Sequence, residues 1–244
     1  MEFRGSSAYE EKDFLENFLH RRNRAESPNN SIEQPIIYEL LEDFQNQCIL
    51  DLGCGDALFG KELLERGARY YHGVEGSEEM KKLATANLQE ANADVTLAAM
   101  EAFDFPEKTY DIVASRLAIH YLAEVDQLFQ SIYKTLKAEG RFVFSVQHPL
   151  TTSSFASKLP GEKRSNWLVD DYFKEGERQE PWIDKIVVKH HRTIESYFTA
   201  LTKAGFSVMA LQEGKPERRY FNSDEEYLRR MRIPVILAFC CRKQ

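Results

Sequence analysis

Cysteine is scarce in this chain, and the few present are badly placed for cross-linking or metal binding. Cys48, Cys54, Cys240 and Cys241 are the four among 244 residues. They show neither paired ligand spacing nor a disulfide framework, so no metal site and no secreted scaffold is expected. Long apolar runs are missing too. The stretch Ile233 to Cys241 is too short to cross a bilayer, and Met1-Glu2-Phe3-Arg4-Gly5 leads into polar sequence without an apolar signal core. A cytoplasmic address and no membrane contact are expected. Positive charge is in deficit: 32 Lys and Arg against 39 Asp and Glu give a formal charge of -7. Such a chain repels phosphate backbones, which argues against a nucleic-acid substrate.

What remains is ordinary globular material, 43% hydrophobic and 29% charged, long enough for one self-sufficient core. Helix-like and strand-like periods alternate through the first 150 residues. Ile36, Ile37, Leu40, Leu41 and Phe44 repeat at helical spacing after Ser31, a candidate cap, and Cys48 to Leu52 follows as a short buried strand. Asp56 to Arg66 reads as a helix closed by Gly67, and Tyr70 to Val74 as a second strand. Ser77 caps a helix whose inner face is Met80, Leu83, Ala84 and Leu88. Val95 to Leu97 and Asp111 to Ala114 read as strands three and four. A helix burying Val125, Leu128, Phe129, Ile132 and Leu136 precedes Gly140, which turns into strand five, Arg141 to Val146. This βαβ rhythm predicts an α/β fold with a mainly parallel sheet.

From His148 to Lys189 the rhythm gives way to polar sequence punctuated by Pro149, Pro160, Gly161, Gly176 and Pro181, with Trp167, Tyr172, Phe173 and Trp182 scattered through it. This reads as an insertion whose aromatics form an apolar lid. Regularity returns at Thr193 with a helix burying Ile194, Tyr197, Phe198 and Leu201 before Gly205. Two strand-like runs, Phe206 to Leu211 and Pro234 to Phe239, are suited to pair antiparallel.

The chemistry concentrates in Ile49-Leu50-Asp51-Leu52-Gly53-Cys54-Gly55-Asp56-Ala57, glycines at a strand-to-helix turn where backbone can approach a nucleotide-like ligand. A dinucleotide turn wants a third small residue, and that position is Leu58. A carboxylate at Asp51 opposes a pyrophosphate yet suits an ammonium and a sulfonium. Twenty residues past Gly55, Glu75 in Val74-Glu75-Gly76-Ser77 ends the second strand, where two oxygens can grip both hydroxyls of a ribose.

On these residues the chain resembles the class I S-adenosylmethionine-dependent methyltransferases. Asp51-Leu52-Gly53-Cys54-Gly55 stands for the family's first motif and Glu75 for its ribose acid. Asp111-Ile112-Val113-Ala114-Ser115 and Gly140-Arg141-Phe142-Val143-Phe144-Ser145 match later core strands, and the likeness spans Gln34 to Val146. The resemblance implies a Rossmann-like, doubly wound, seven-stranded sheet, mainly parallel, with a C-terminal antiparallel hairpin and the insertion after strand five. It implies a cap segment at 1–30, a cofactor-binding core at 31–147, a lid over the acceptor at 148–192 and a completing segment at 193–244. It also implies S-adenosylmethionine as methyl donor, S-adenosylhomocysteine as product and a small-molecule acceptor. Cofactor contacts are then expected from Asp51, Gly53, Cys54, Gly55, Glu75, Gly76, Met80, Ala99, Met100, Glu101 and Ser115. Two departures stand out: the adenine-binding acid falls at Ala99, leaving Met100 backbone and Glu101 to serve, and the third glycine is Ala57.

Three histidines are candidate proton acceptors for in-line methyl transfer. His120 follows the fourth strand near the expected methyl position, and His148 and His191, with His190 and Arg192, lie beside the insertion. A histidine titrating near neutrality would serve an oxygen or nitrogen acceptor; an anionic acceptor needs none. Tyr9, Arg21 and Arg24 are candidates to cover the cofactor's carboxylate. Two rival readings remain, a non-catalytic S-adenosylmethionine-binding module and a nicotinamide-dependent oxidoreductase, the latter opposed by Asp51 and Leu58. The sequence does not fix the oligomeric state.

Overall fold

The structure, a computed structural model, describes residues 2–89, 91–158, 163–183 and 185–244; Pro160 and Gly161, named above in the insertion, lie outside the described residues. In chain order the elements are β1 (Glu2–Arg4), α1 (Lys12–Arg22), α2 (Gln34–Leu41), β2 (Cys48–Leu52), α3 (Leu58–Glu65), β3 (Tyr70–Glu75), α4 (Glu78–Asn87), β4 (Ala93–Leu97) and β5 (Tyr110–Arg116). There follow α5 (Asp126–Thr135), β6 (Leu136–Gln147), α6 (Pro149–Thr152), β7 (Gly176–Trp182), β8 (Lys185–His191), α7 (Ile194–Lys203), β9 (Phe206–Glu213), α8 (Asp224–Arg230) and β10 (Ile236–Lys243).

Seven strands form one sheet in the order β4-β3-β2-β5-β6-β10-β9. β10 runs antiparallel to both β6 and β9, and the other neighbouring pairs are parallel. The expected doubly wound sheet and C-terminal hairpin are therefore present. Strand order reverses between β2 and β5, which opens a crevice at their carboxyl ends, where open α/β sheets bind ligands.

The central strands are buried on both faces, which explains their unbroken apolar runs. Ile49, Ile112, Ala114 and Val143 pack on one face under α2, α3 and α4; Leu50, Leu52, Val113, Phe142 and Phe144 pack on the other under α5 and α7. Burial of such side chains contributes about 1.5–3 kcal/mol each. The Ser77 cap of α4 is present, its hydroxyl accepting the Met80 N–H at 3.2 Å.

Several local expectations are corrected. Ser31 caps nothing: it lies inside a π-helical turn, Asn29–Glu33, that runs straight into α2, and its hydroxyl donates to the Ser27 carbonyl. That wider turn buries Glu33. Phe198 is 47% exposed, because Tyr197, Ala200 and Leu201 form the inner face of α7. β6 begins at Leu136, not after Gly140. Leu136 pairs with Tyr110 and Arg141 with Ile112, so residues 137–140 bulge within the strand.

The insertion also holds regular structure. β7 and β8 pair antiparallel, and β1 adds parallel to β8, joining the N-terminus and the insertion in one small sheet. Phe3, Phe14 and Val187 form its core, with Phe14 and Phe18 edge-on to Trp182 at 5.9 and 5.6 Å. Alternation is weak in β7, which carries four consecutive polar residues before Pro181, so the strand has no visible signature in sequence. Among the described residues no helix is long and apolar enough to cross a membrane.

Candidate active site

One cavity of about 1060 Å³ opens at the carboxyl ends of β2, β3 and β5, beneath the small sheet. It is at the upper end of the roughly 300–1,000 Å³ usual for a single drug-sized ligand, which leaves room for two reactants.

Its floor is the turn after β2. Gly53 has φ +76°, and a Cβ there would lie 2.6 Å from the Ala118 Cβ, so both conformation and space demand glycine. Ala57 adopts φ +55° at the start of α3, a left-handed conformation that costs a non-glycine residue about 1 kcal/mol. Asp51 ends β2, 2% exposed. Its Oδ2 accepts the Tyr71 hydroxyl at 2.7 Å, while its Oδ1 is buried with no partner among the described residues. Burial pushes this carboxyl up to about 6, against the opposing pull of Tyr71 and Arg116. Tyr71 reaches Asp51 because Gly60 of α3 has no side chain: a Cβ there would fall 2.3–2.5 Å from the Tyr71 ring. No local pattern marks this helix-to-strand contact, since Gly60 reads as a tolerated interruption of a helix.

Glu75 ends β3 and is clamped by backbone. The Gly55 N–H donates to Oε2 at 2.8 Å and the Ser77 N–H to Oε1 at 2.9 Å. Burial raises its pKa, and those N–H bonds work against the rise. The Gly76 N–H adds to this clamp, and the carboxylate still has accepting capacity left. Cys54, Gly76, Met80, Ala99, Met100 and Glu101 join Asp51, Gly53, Gly55 and Glu75 along the cavity wall. Ser115 does not: it is fully buried and donates to the Leu52 carbonyl at 2.8 Å, tying β5 to β2. The expectation that Ser115 contacts cofactor is thus corrected to a role inside the sheet.

Tyr9, Arg21 and Arg24 line the cavity from the N-terminal segment, together with Arg22, which pairs with Asp56. Arg116 lines it from β5, its guanidinium on Glu33 and 4.4 Å from the Phe59 ring. Glu33 also accepts the Ser145 hydroxyl at 2.7 Å, which accounts for its burial.

Of the three candidate histidines, His120 alone borders the cavity. It is 2% exposed, and its Nδ1 accepts the Gln147 N–H at 3.4 Å. That bond leaves the ring proton on Nε2, so the free ring nitrogen is a donor. Burial, then the positive charges of Lys189 and Arg192, drive its pKa well below the usual value, so the neutral ring persists across physiological pH. The expected titration near neutrality is corrected accordingly. His148 is buried elsewhere: Nδ1 accepts the Leu150 N–H at 3.1 Å, capping α6, and Nε2 meets Glu213 at 2.9 Å. His191 spans Thr152 and the Tyr172 carbonyl, each at 2.8 Å. Neither is placed as a proton acceptor, contrary to expectation, because their ring nitrogens are spent on holding the insertion in place. Arg192 likewise donates to the Leu122 and Ala123 carbonyls.

Two features of the site have no counterpart among the expected residues. Gln147 lines the cavity with its Oε1 buried and without a partner among the described residues. Lys189 and Glu180 form a buried ion pair in the roof, with Lys158 on the second Glu180 oxygen. Burial would raise the Glu180 carboxyl, but the two lysines outweigh it and hold it at about 2. The charged residue at the end of Ile186-Val187-Val188 was the only available signal. Of the expected lid aromatics, Trp167 and Trp182 line the cavity, whereas Phe173 is 88% exposed and Tyr172 packs on His191.

Residues 50–144 match the family described as Methyltransferase domain. The chain is similar to the crystal structure of an S-adenosylmethionine-dependent methyltransferase from Mesorhizobium loti, with 31% identity and TM-score 0.79 over 86% of this chain and 97% of that one. Its counterpart from Listeria monocytogenes gives 30%, 0.78, 87% and 96%. An uncharacterized methyltransferase from Geobacillus thermodenitrificans is 33% identical over 72% of this chain and 77% of its own length. The chain belongs to the S-adenosylmethionine-dependent methyltransferases, using that cofactor and releasing S-adenosylhomocysteine.

Proposed function

We propose that this enzyme methylates a small-molecule acceptor held between Gln147, His120 and the roof of the cavity, with the cofactor on the β2–β3 side. The observation that carries the reading is a single cavity bordered by the Asp51–Glu75 pair and by Gln147 and His120, whose Oε1 and Nε2 make no hydrogen bond among the described residues. The orphaned Asp51 oxygen fits the cofactor, because a buried acceptor without a donor costs about 1–3 kcal/mol until an ammonium or a water bridging to it supplies one. Glu75 offers its remaining lone pairs to the ribose hydroxyls, and Gly53 and Gly55 let the backbone come close. The Met100 backbone and Glu101 flank the adenine in place of an acid at Ala99. Arg21 and Arg24 face the carboxylate.

Bound S-adenosylmethionine supplies an electrophilic sulfonium methyl. The protein's share is positioning and water exclusion, which in well-aligned sites lowers barriers by about 7–11 kcal/mol. Gln147 accepts a hydrogen bond from the acceptor and His120 donates one, fixing which atom faces the methyl. His120 therefore orients the acceptor and takes no proton near neutral pH. Residues 1–30 and 148–192 act as one lid, since β1 and β8 share a sheet. A cavity of this size, roofed by the small sheet, in a chain of formal charge -7 favours a small molecule over nucleic acid.

The test is single-turnover methyl transfer across an acceptor panel, measured against pH for wild type and His120→Ala. The variant is expected to lose roughly 10–10²-fold in rate with S-adenosylhomocysteine affinity unchanged. Wild type should show no ionisation of His120 between about pH 6 and 8, given the direction of its shift. An ionisation in that window that His120→Ala abolishes would restore His120 as a base.

A further inference from the structure

We propose that the acceptor carries an anionic group, a carboxylate or a phosphate, bound by Arg164, Arg229 and Arg230 in the cavity roof; this rests on the acceptor site assigned above. Asp51 and Glu75 line the cavity from the ends of β2 and β3, whereas Lys158, Arg164 and Lys189 line it from the insertion and Arg229 and Arg230 from α8. Only two carboxylates are in ion-pair contact with that group among the described residues. Glu180 is taken by Lys158 and Lys189, and Glu226 by Arg229 and Arg230.

Arg164 has no carboxylate partner among the described residues. Its Nε donates to Ser157 Oγ and its Nη2 to the Ser154 carbonyl, both at 3.0 Å. The Arg229 Nη1 donates to the Arg164 carbonyl at 3.1 Å, which fixes α8 against this part of the insertion. The Arg229 and Arg230 side chains are only 16% and 14% exposed. Burying cations in excess of their counter-charges costs free energy, and a bound anion offsets it. At Arg230 burial first, then Arg229 and to a lesser degree Arg24, lower the pKa to about 10 against the opposing pull of Glu226. Arginine's planar fork suits a two-oxygen anion. Trp167 lies beside this group, 5.9 Å from the Arg164 guanidinium, and with Phe155 gives the cavity an apolar wall there. The ligand so defined has an anionic head and an apolar body, its methyl-accepting atom reaching back to Gln147 and His120. A polyanion fits poorly, because the chain as a whole is negative.

The experiment titrates the protein, saturated with S-adenosylhomocysteine, with inorganic phosphate and with acetate, following thermal stability against chloride at equal ionic strength. At least one of the two anions is expected to raise the melting temperature beyond chloride, and the one that does identifies the head group. Arg164→Gln and Arg230→Gln should each weaken that response at least tenfold. Arg164→Gln touches only neutral oxygens, so it serves if Arg230→Gln disturbs α8, and unchanged S-adenosylhomocysteine affinity shows that a variant is folded. Neither anion exceeding chloride, or variants responding as wild type, overturns the proposal. An RNA hairpin binding more tightly than phosphate would overturn the small-molecule head group in favour of nucleic acid. Failure of S-adenosylhomocysteine itself to stabilise the protein would refute the cofactor assignment instead, and the anion response is then read without it.

Discussion

Asp51 can be tested through its own protonation. Burial lifts its pKa from the ordinary 3.8 to about 6, with Tyr71 and Arg116 pulling the other way. Two units at about 1.4 kcal/mol each put the cost of the buried anion near 3 kcal/mol. The folded protein binds this proton more tightly than the unfolded chain does. The cost is therefore absent below the unfolded value of 3.8, grows as pH rises, and is fully present above about 6. Asp51→Asn removes it. The amide keeps an acceptor for Tyr71 but sets an NH₂ where Oδ1 now lacks a partner, a pH-independent penalty of about 1–3 kcal/mol. Relative to wild type, the variant's unfolding free energy should climb by about 2.4 kcal/mol between pH 4 and pH 7, whatever its offset at pH 4. Urea unfolding of the cofactor-free protein measures this directly. Parallel stability curves would refute the reasoning. The same variant should bind S-adenosylmethionine at least tenfold more weakly at pH 7.5, so that stability and binding move in opposite directions with pH.

Two further substitutions probe the floor of the site. Glu75→Gln should weaken S-adenosylhomocysteine binding by roughly 1.5–3 kcal/mol, because a charge-assisted bond to ribose is lost while one backbone N–H remains satisfied; unchanged affinity by calorimetry would place the ribose elsewhere. Gly60→Ala should destabilise by about 1–3 kcal/mol in denaturant unfolding. Its Cβ would sit 2.3–2.5 Å from the buried Tyr71 ring, and that overlap outweighs the roughly 1 kcal/mol of helix propensity gained. An increase in stability would show that Tyr71 can yield.

The core follows from local sequence pattern alone. Unbroken apolar runs between glycine-bearing turns dictate strands buried on both faces, and Asp51, Gly53, Gly55 and Glu75 are legible because each sits at a strand end, where local chain geometry fixes position. Ser77 as a cap was legible for the same reason. Ser31, Ser115, His148 and His191 were not, since a polar side chain near a site can be spent on the protein itself, and only the fold shows where its hydrogen bonds go. Pairing of β1 with β8 joins residues 2–4 to 186–188, a long-range contact that no local period records. The same holds for the roof: Arg164 and Arg229 are 65 residues apart and meet at 3.1 Å. Which charges face one another in the cavity, and so what kind of acceptor it suits, was decided by tertiary packing, because electrostatic energy depends on distance through space and not on distance along the chain.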